Sequence, residues 1–208
     1  MTNSQKYWDK TAEKYAKSPV SDKKTYQRKI EETQEYLKPH MHIVEFGCGT
    51  GTTAVSHAPH VAHIDAIDVS ENMLQIGRGK AADANVENIT FSLGTLADLN
   101  AESASRDAVL GLNVIHLIED RKALFEEVAR IIKPGGIFVT STVCLGGSNL
   151  RFLAWLIPIT KLIGLTPDLY VLSEEELAAE VTAHGFSIER QWHHAKDGIA
   201  VFMIASKT

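Results

Sequence analysis

Hydrophobic positions along the chain alternate between two rhythms. Short apolar runs recur: H-I-V-E-F (His42 to Phe46), H-I-D-A-I-D-V (His63 to Val69), Ile89 to Leu93, Asp107 to Leu112 and Ile137 to Ser141. Their length and β-branched content predict strands. Helical segments stand between them: Thr52 to His57, a segment capped by Ser70 that runs to about Ala82, and Asp120 to Ile132. The last of these is expected to stop at K-P-G-G, where Pro134 removes a backbone donor and the glycines allow a turn. Two more helices are predicted ahead of the first strand, Ser4 to Ala16 and Lys24 to Leu37, the second with Ile30, Thr33 and Leu37 on one face and Pro39 after it. Near the C-terminus, Ser173-Glu174-Glu175-Glu176 reads as a capping box opening a helix that Gly185 stops. Phe186 to Trp192 and Ile199 to Ala205 then form two strands joined by A-K-D-G, the pattern of a hairpin.

Strands separated by helices imply right-handed crossovers and a parallel sheet. The final hairpin must add one antiparallel strand. The expectation is a doubly wound α/β domain, seven strands, mostly parallel, with one reversed strand near an edge.

Composition narrows the class. The chain has 208 residues, 44% of them hydrophobic, which suits one domain with one core. A net charge of -5 and no basic stripe argue against nucleic acid. K-K-T-Y-Q-R-K (Lys23 to Lys29) reads as a solvated helix face. Two cysteines, Cys48 and Cys144, are too few for a disulfide scaffold. With an N-terminus that lacks an apolar core, they predict a cytoplasmic protein. F-L-A-W-L-I-P-I-T-K-L-I-G-L (Phe152 to Leu165) is too short to span a bilayer, which takes about 20 residues.

The chemistry is concentrated in V-E-F-G-C-G-T-G, Val44 to Gly51. In doubly wound sheets, ligands sit beyond the carboxyl ends of strands, where the winding reverses. Glycines let a ligand approach the backbone, and the next helix offers free N–H groups. Dinucleotide sites read G-x-G-x-x-G, but here the spacing is G-x-G-x-G and Thr52 occupies the dinucleotide pattern's third position. Glu45, beside the loop, repels a pyrophosphate and attracts an amine. A ligand with an amine, a carboxylate and a ribose fits, and S-adenosylmethionine has all three.

E-x-G-x-G-x-G after a first strand resembles the first motif of the class I S-adenosylmethionine-dependent methyltransferases. Asp68 at the end of the second strand, A-V-L-G-L-N-V-I-H-L-I-E-D around the fourth, and K-P-G-G before the fifth fit as well. Y-W-D-K-T-A-E-K-Y is similar to the opening of the ubiquinone and menaquinone methyltransferase group. The resemblance implies that S-adenosylmethionine is bound, and S-adenosylhomocysteine released, by Glu45, Gly47, Cys48, Gly49, Gly51, Asp68, Val69, Met73, Gly94, Thr95, Leu96 and Asn113. Glu45 would hold the amine end, Asp68 the ribose hydroxyls, and Met73 would lie on the adenine. Many members place a Gly-Asp pair after the third strand. Here it is Gly94-Thr95, so Thr95, a backbone carbonyl or Asp98 must take the adenine contact.

His116 stands near the donor's methyl group in this fold and is a candidate general base, although that slot is often a packing position. Tyr7, Trp8 and Tyr15 form either a lid over a sulfonium or the anchors of an amphipathic helix, with Tyr15 the better lid candidate and, beside His116, a candidate catalytic residue. Cys48 reads as structural rather than nucleophilic. No metal site is expected: H-x-x-H at His57 and His60, and again at His60 and His63, surrounds Pro59.

The expected organisation is a helical lid (1–38), a cofactor core (39–148), an apolar insert (149–172) and a final helix and hairpin (173–208). The insert suggests a cover for a hydrophobic acceptor, a dimer contact or a membrane-surface patch through 152–165, with Arg151 and Lys161 flanking it, or a plain core-packing hairpin. The function that follows is methyl transfer to O, N or C of a small apolar or amphipathic acceptor, by a monomer or homodimer. The rivals are a non-catalytic adenosylmethionine- or partner-binding protein and a nicotinamide-dependent oxidoreductase.

Overall fold

The computed structural model describes residues 3–19, 22–144, 146, 166–194 and 198–208. Seven strands form one sheet in the order β3-β2-β1-β4-β5-β7-β6. They are β1 (His42–Phe46), β2 (His63–Asp68), β3 (Ile89–Leu93), β4 (Arg106–Leu112), β5 (Ile132–Val143), β6 (Phe186–His193) and β7 (Ala200–Lys207). Neighbours from β3 to β5 run parallel, and β7 pairs antiparallel with both β5 and β6. The reversed strand therefore lies one place in from the edge, as the hairpin pattern implied.

The described helices are α1 (Asn3–Lys17), α2 (Lys23–Gln34), α3 (Thr52–His57), α4 (Glu71–Asp83), α5 (Arg121–Ile131) and α6 (Glu174–Ala183). Their starts obey capping chemistry. Asp22, Ser70 and Asp120 each accept a hydrogen bond from an N–H of the first turn, and Ser173 and Glu176 close a reciprocal capping box. The sheet carries a core on each face. Phe125, Val128 and Ile131 of α5 with Leu177 and Val181 of α6 cover one face, against Val109, Phe138 and Met203. Ala54 of α3 and Leu74 of α4 cover the other, against Ile43, Ile64 and Leu110.

Two boundaries differ from the sequence reading by more than two residues. The fifth strand begins at Ile132, directly after α5, because Ile132 pairs with Arg106 before the register jumps to Ala108 and Ile137. Lys133 to Gly136 is thus an excursion within a strand edge rather than a turn ahead of the strand. The second helix ends at Gln34, and Leu37 reaches the core from the turn that follows. The insert reading for 152–165, with Arg151 and Lys161, the hairpin residues 195–197 and part of the break after α1 lie outside the described residues. Among the described residues, no helix is long and apolar enough to cross a membrane.

Candidate active site

The strand order reverses between β1 and β4, and at that point a cavity of about 460 Å³ opens beyond the strand ends. Phe46, Gly47 and Gly49 form its floor. Asp68, Val69 and Met73 line the β2 side, and Gly94 to Ala97 the β3 side. Leu112, Asn113, Val114, Leu117 and Ile118 line the β4 side. Trp8 and Tyr15 of α1 reach it from above.

The glycine loop turns through left-handed backbone at Gly47, Gly49 and Gly51, with φ of 61°, 53° and 69°. Gly51 caps α3 and faces Gly77 and the Phe91 ring, so it packs elements together rather than lining the cavity. The Lys80 ammonium ties the loop to α4, donating to Thr50 Oγ1 and Thr52 Oγ1 at 2.7 Å each.

The Asp68 carboxylate is oriented by backbone: Gly49 N–H donates to Oδ2 at 2.8 Å and Ser70 N–H to Oδ1 at 2.9 Å. Burial raises its pKa and those two donors oppose the rise, leaving a fixed carboxylate with further lone pairs at the cavity wall. Glu45 sits behind the loop, 3% exposed, with Oε2 unpartnered among the described residues. Burial first, and Asp68 second, raise its pKa to about 8. Ligand-free, it holds its proton at neutral pH. Cys48 is buried in the core and is not among the lining residues, and burial keeps its thiol protonated.

Thr95 lines the cavity, and Asp98 does not. The Asp98 carboxylate instead accepts from Thr95 N–H at 2.8 Å and Thr95 Oγ1 at 2.7 Å, which shapes the turn and lowers its pKa. His116 is also absent from the lining. Its Nδ1 is buried without a partner among the described residues, and burial lowers its pKa to about 4.

The position of α1 depends on a residue that sequence reasoning passed over. Asp9 Oδ1 accepts from Ser70 Oγ at 2.6 Å and from Asn72 N–H at 3.3 Å, and Asn72 Nδ2 donates to the Asp9 carbonyl. These bonds bind α1 to the start of α4 and set Trp8 edge-on to Tyr15 over the cavity. Tyr15 is 51% exposed, yet burial of its hydroxyl end together with Asp68, Tyr26 and Glu45 raises its pKa. It is a hydrogen-bond donor at neutral pH rather than a base.

Residues 43–136, from the first strand to the glycines before Ile137, match the family described as a methyltransferase domain. Over these residues the chain is similar to a methyltransferase domain. The demethylmenaquinone methyltransferase of Symbiobacterium thermophilum is 30% identical over 149 residues, 68% of this chain and 58% of that protein. The ubiquinone biosynthesis O-methyltransferase of Coxiella burnetii is 25% identical over 118 residues, 57% of this chain and 48% of that protein. The chain thus spans about half the length of these relatives. The methyltransferase fold extends beyond the matched core. Magnesium protoporphyrin IX methyltransferase from Synechocystis, solved with bound S-adenosylhomocysteine, superposes with a TM-score of 0.73 over 98% of both chains at 18% identity.

Proposed function

We propose that this methyltransferase domain transfers a methyl group from S-adenosylmethionine to a small, largely apolar acceptor. The observation that carries the reading is the pairing of a backbone-fixed Asp68 with a glycine floor in one cavity, and a buried Glu45 behind it. Asp68 is placed to accept from a ribose. Gly47 and Gly49 admit the sulfonium end against bare backbone. Glu45 takes the charge complement of an ammonium, directly or through water. Thr95 and Leu96 border the adenine end. Leu112, Val114, Leu117 and Ile118 supply an apolar acceptor wall, and α1 closes the top to exclude water. The reaction is an in-line displacement at an already activated carbon, so alignment does most of the catalysis.

His116 supplies no base in this scheme, being held neutral by burial and away from the lining. His116→Ala is expected to keep turnover within about threefold once an acceptor is in hand. A loss of a hundredfold or more would return His116 to the chemistry.

Calorimetric titration with S-adenosylmethionine, S-adenosylhomocysteine and NADH tests the donor. Micromolar binding of the adenosyl pair without NADH is the expected result. Binding of NADH alone would move the chain to the oxidoreductases, and binding of none would sink the reading.

Glu45 adds a linked prediction. Its folded pKa of about 8 lies above its ordinary 4.5, so the folded state holds the extra proton between those values. That contribution to stability is complete below pH 4.5 and is lost as pH rises through 8. An ammonium ligand favours the carboxylate, so at pH 7 binding of S-adenosylhomocysteine should release about one proton. Titration enthalpies in phosphate and Tris should differ accordingly, and Glu45→Gln should remove the difference. Equal enthalpies in the two buffers for the unaltered protein would take Glu45 out of the amine site.

A further inference from the structure

The two faces of α1 answer to different surroundings. Ser4, Trp8 and Tyr15 share the side that lines the cavity. Lys6, Lys10, Lys14 and Lys17 are all exposed, and at 3.6 residues per turn they fall within an arc of about 80° on the outward side. Their spacing of four, four and three leaves no basic run in the sequence, so the stripe exists only once the helix is wound. Lys17 pairs with Glu13 at 3.7 Å, but both side chains are exposed and such pairs contribute little. Among the described residues, Lys6, Lys10 and Lys14 have no carboxylate within ion-pair distance.

Charge is also divided unevenly along the chain. Residues 1–38 hold nine Lys and Arg against six Asp and Glu, whereas the whole chain holds 21 against 26. A cationic helix face is thus carried on an otherwise anionic molecule, whereas surfaces that face only water mix both signs. Apolar exposure lies at the same end of the sheet. Tyr15 and Leu93, each 51% exposed, and Val171, 40% exposed, are the large hydrophobics exposed among the described residues. Tyr15 lines the cavity, and Leu93 ends β3 directly before the lining Gly94. Val171 follows Tyr170, whose N–H donates to the His116 carbonyl beyond β4 at 2.8 Å. All three stand at the carboxyl ends of the parallel strands, the end that α1 covers. A negatively charged layer above a hydrocarbon interior satisfies both the lysines and this apolar rim. Nucleic acid would engage the lysines and leave Leu93 and Val171 in water.

We propose that the lysine face of α1 seats the protein on an anionic lipid surface, with the strand carboxyl ends and the cavity mouth turned toward the bilayer. The docking stands on charge and exposure alone. Its use rests on the methyl-transfer reading: an apolar acceptor dissolved in the membrane then reaches the cavity without crossing water.

The full chain is sedimented with vesicles of phosphatidylcholine and with vesicles of phosphatidylglycerol. Binding to phosphatidylglycerol alone is expected, with release at about 1 M salt, where charges are screened beyond about 3 Å. Each lysine near such a surface contributes about fivefold. Replacing all four (Lys6→Gln, Lys10→Gln, Lys14→Gln and Lys17→Gln) should therefore weaken binding by about 100-fold or more. Arginine at the same four positions keeps the charge and should keep the binding. Absent binding to phosphatidylglycerol, equal binding to phosphatidylcholine, or a loss below about threefold in the glutamine variant overturns the proposal. A DNA duplex bound as tightly as the vesicles would overturn it too, because the face would then answer to any polyanion. Thermal melting checks that the glutamine variant folds. Should it not, Lys6→Gln with Lys10→Gln reads the same effect at about 25-fold. S-adenosylhomocysteine titration of the variant should match the wild type, since no described lysine lines the cavity. A wild type that binds vesicles but no adenosyl compound would end the methyl-transfer reading and leave the docking intact.

Discussion

Asp68→Asn should weaken S-adenosylhomocysteine binding by about 100-fold, the loss of about 3 kcal/mol expected when two charge-assisted hydrogen bonds to a ligand are removed. The substitution acts on the ligand and on the loop together. In the wild type both carboxylate oxygens already accept a backbone N–H, from Gly49 and from Ser70. An asparagine amide must direct its NH₂ at one of those donors, so the side chain turns or the loop relaxes. Tm should fall as well, and thermal melting should show the saturating ligand raising it less than in the wild type. Titration calorimetry gives the affinity directly. A change below about threefold would mean that Asp68 contacts no ligand hydroxyl, and the donor assignment would fail with it.

The second large effect is structural. A Cβ at Gly111 would lie 2.2 Å from Phe46 Cζ and within 2.9 Å of two further ring atoms. Gly111 stands in β4, paired with Thr140 of β5, so the backbone cannot retreat without breaking the sheet. The Phe46 ring must move instead, and it both fills the core and lines the cavity floor. Gly111→Ala should therefore cost about 2–3 kcal/mol, or about 5–10 °C in Tm for a chain of this size, and reduce ligand affinity as well. Calorimetric melting checks the first effect. The double variant with Phe46→Leu should recover part of both losses, since the two sites share one contact. A Gly111→Ala protein that melts with the wild type would show that the ring has room to turn.

The features that could be read from the sequence are local ones. The strands from His42 to Leu112, the Ser70 and Ser173 caps and the glycine loop each depend on neighbours a few residues away. The acid ending β2 was recognisable because its motif is short. Glu45 could be placed beside the loop, but its seclusion behind the loop follows from sheet packing. Cys48, grouped with the cofactor residues because it lies within the motif, turns its side chain to the core. The residues that pattern could not supply have distant partners. Asp9 meets Ser70 across 61 residues, and Lys29 meets Ser141 across 112. Lys29 sits in a basic stretch that looked solvated, and only its place on the buried side of α2 distinguishes it from Lys23 and Lys24. The K-P-G-G stretch was read as a helix stop followed by a turn, because Pro134 cannot continue a helix and the glycines permit the turn; the strand starts before it and lets the four residues bulge between paired positions.

The place of β7 has a consequence for synthesis. It is the last of the seven strands in chain order but sits between β5 and β6, bonded to both. A nascent chain that has emerged as far as β6 still has an open β5 edge, and β6 has nothing to pair with. The parallel half of the sheet can form while translation continues, but Phe186–His193 must wait for Ala200–Lys207. Until then the ribosome-bound chain displays unpaired backbone along Ile137 to Val143, the kind of edge to which another chain can add. Slow translation or truncation ahead of Ala200 should thus promote aggregation far more than the same delay ahead of α5.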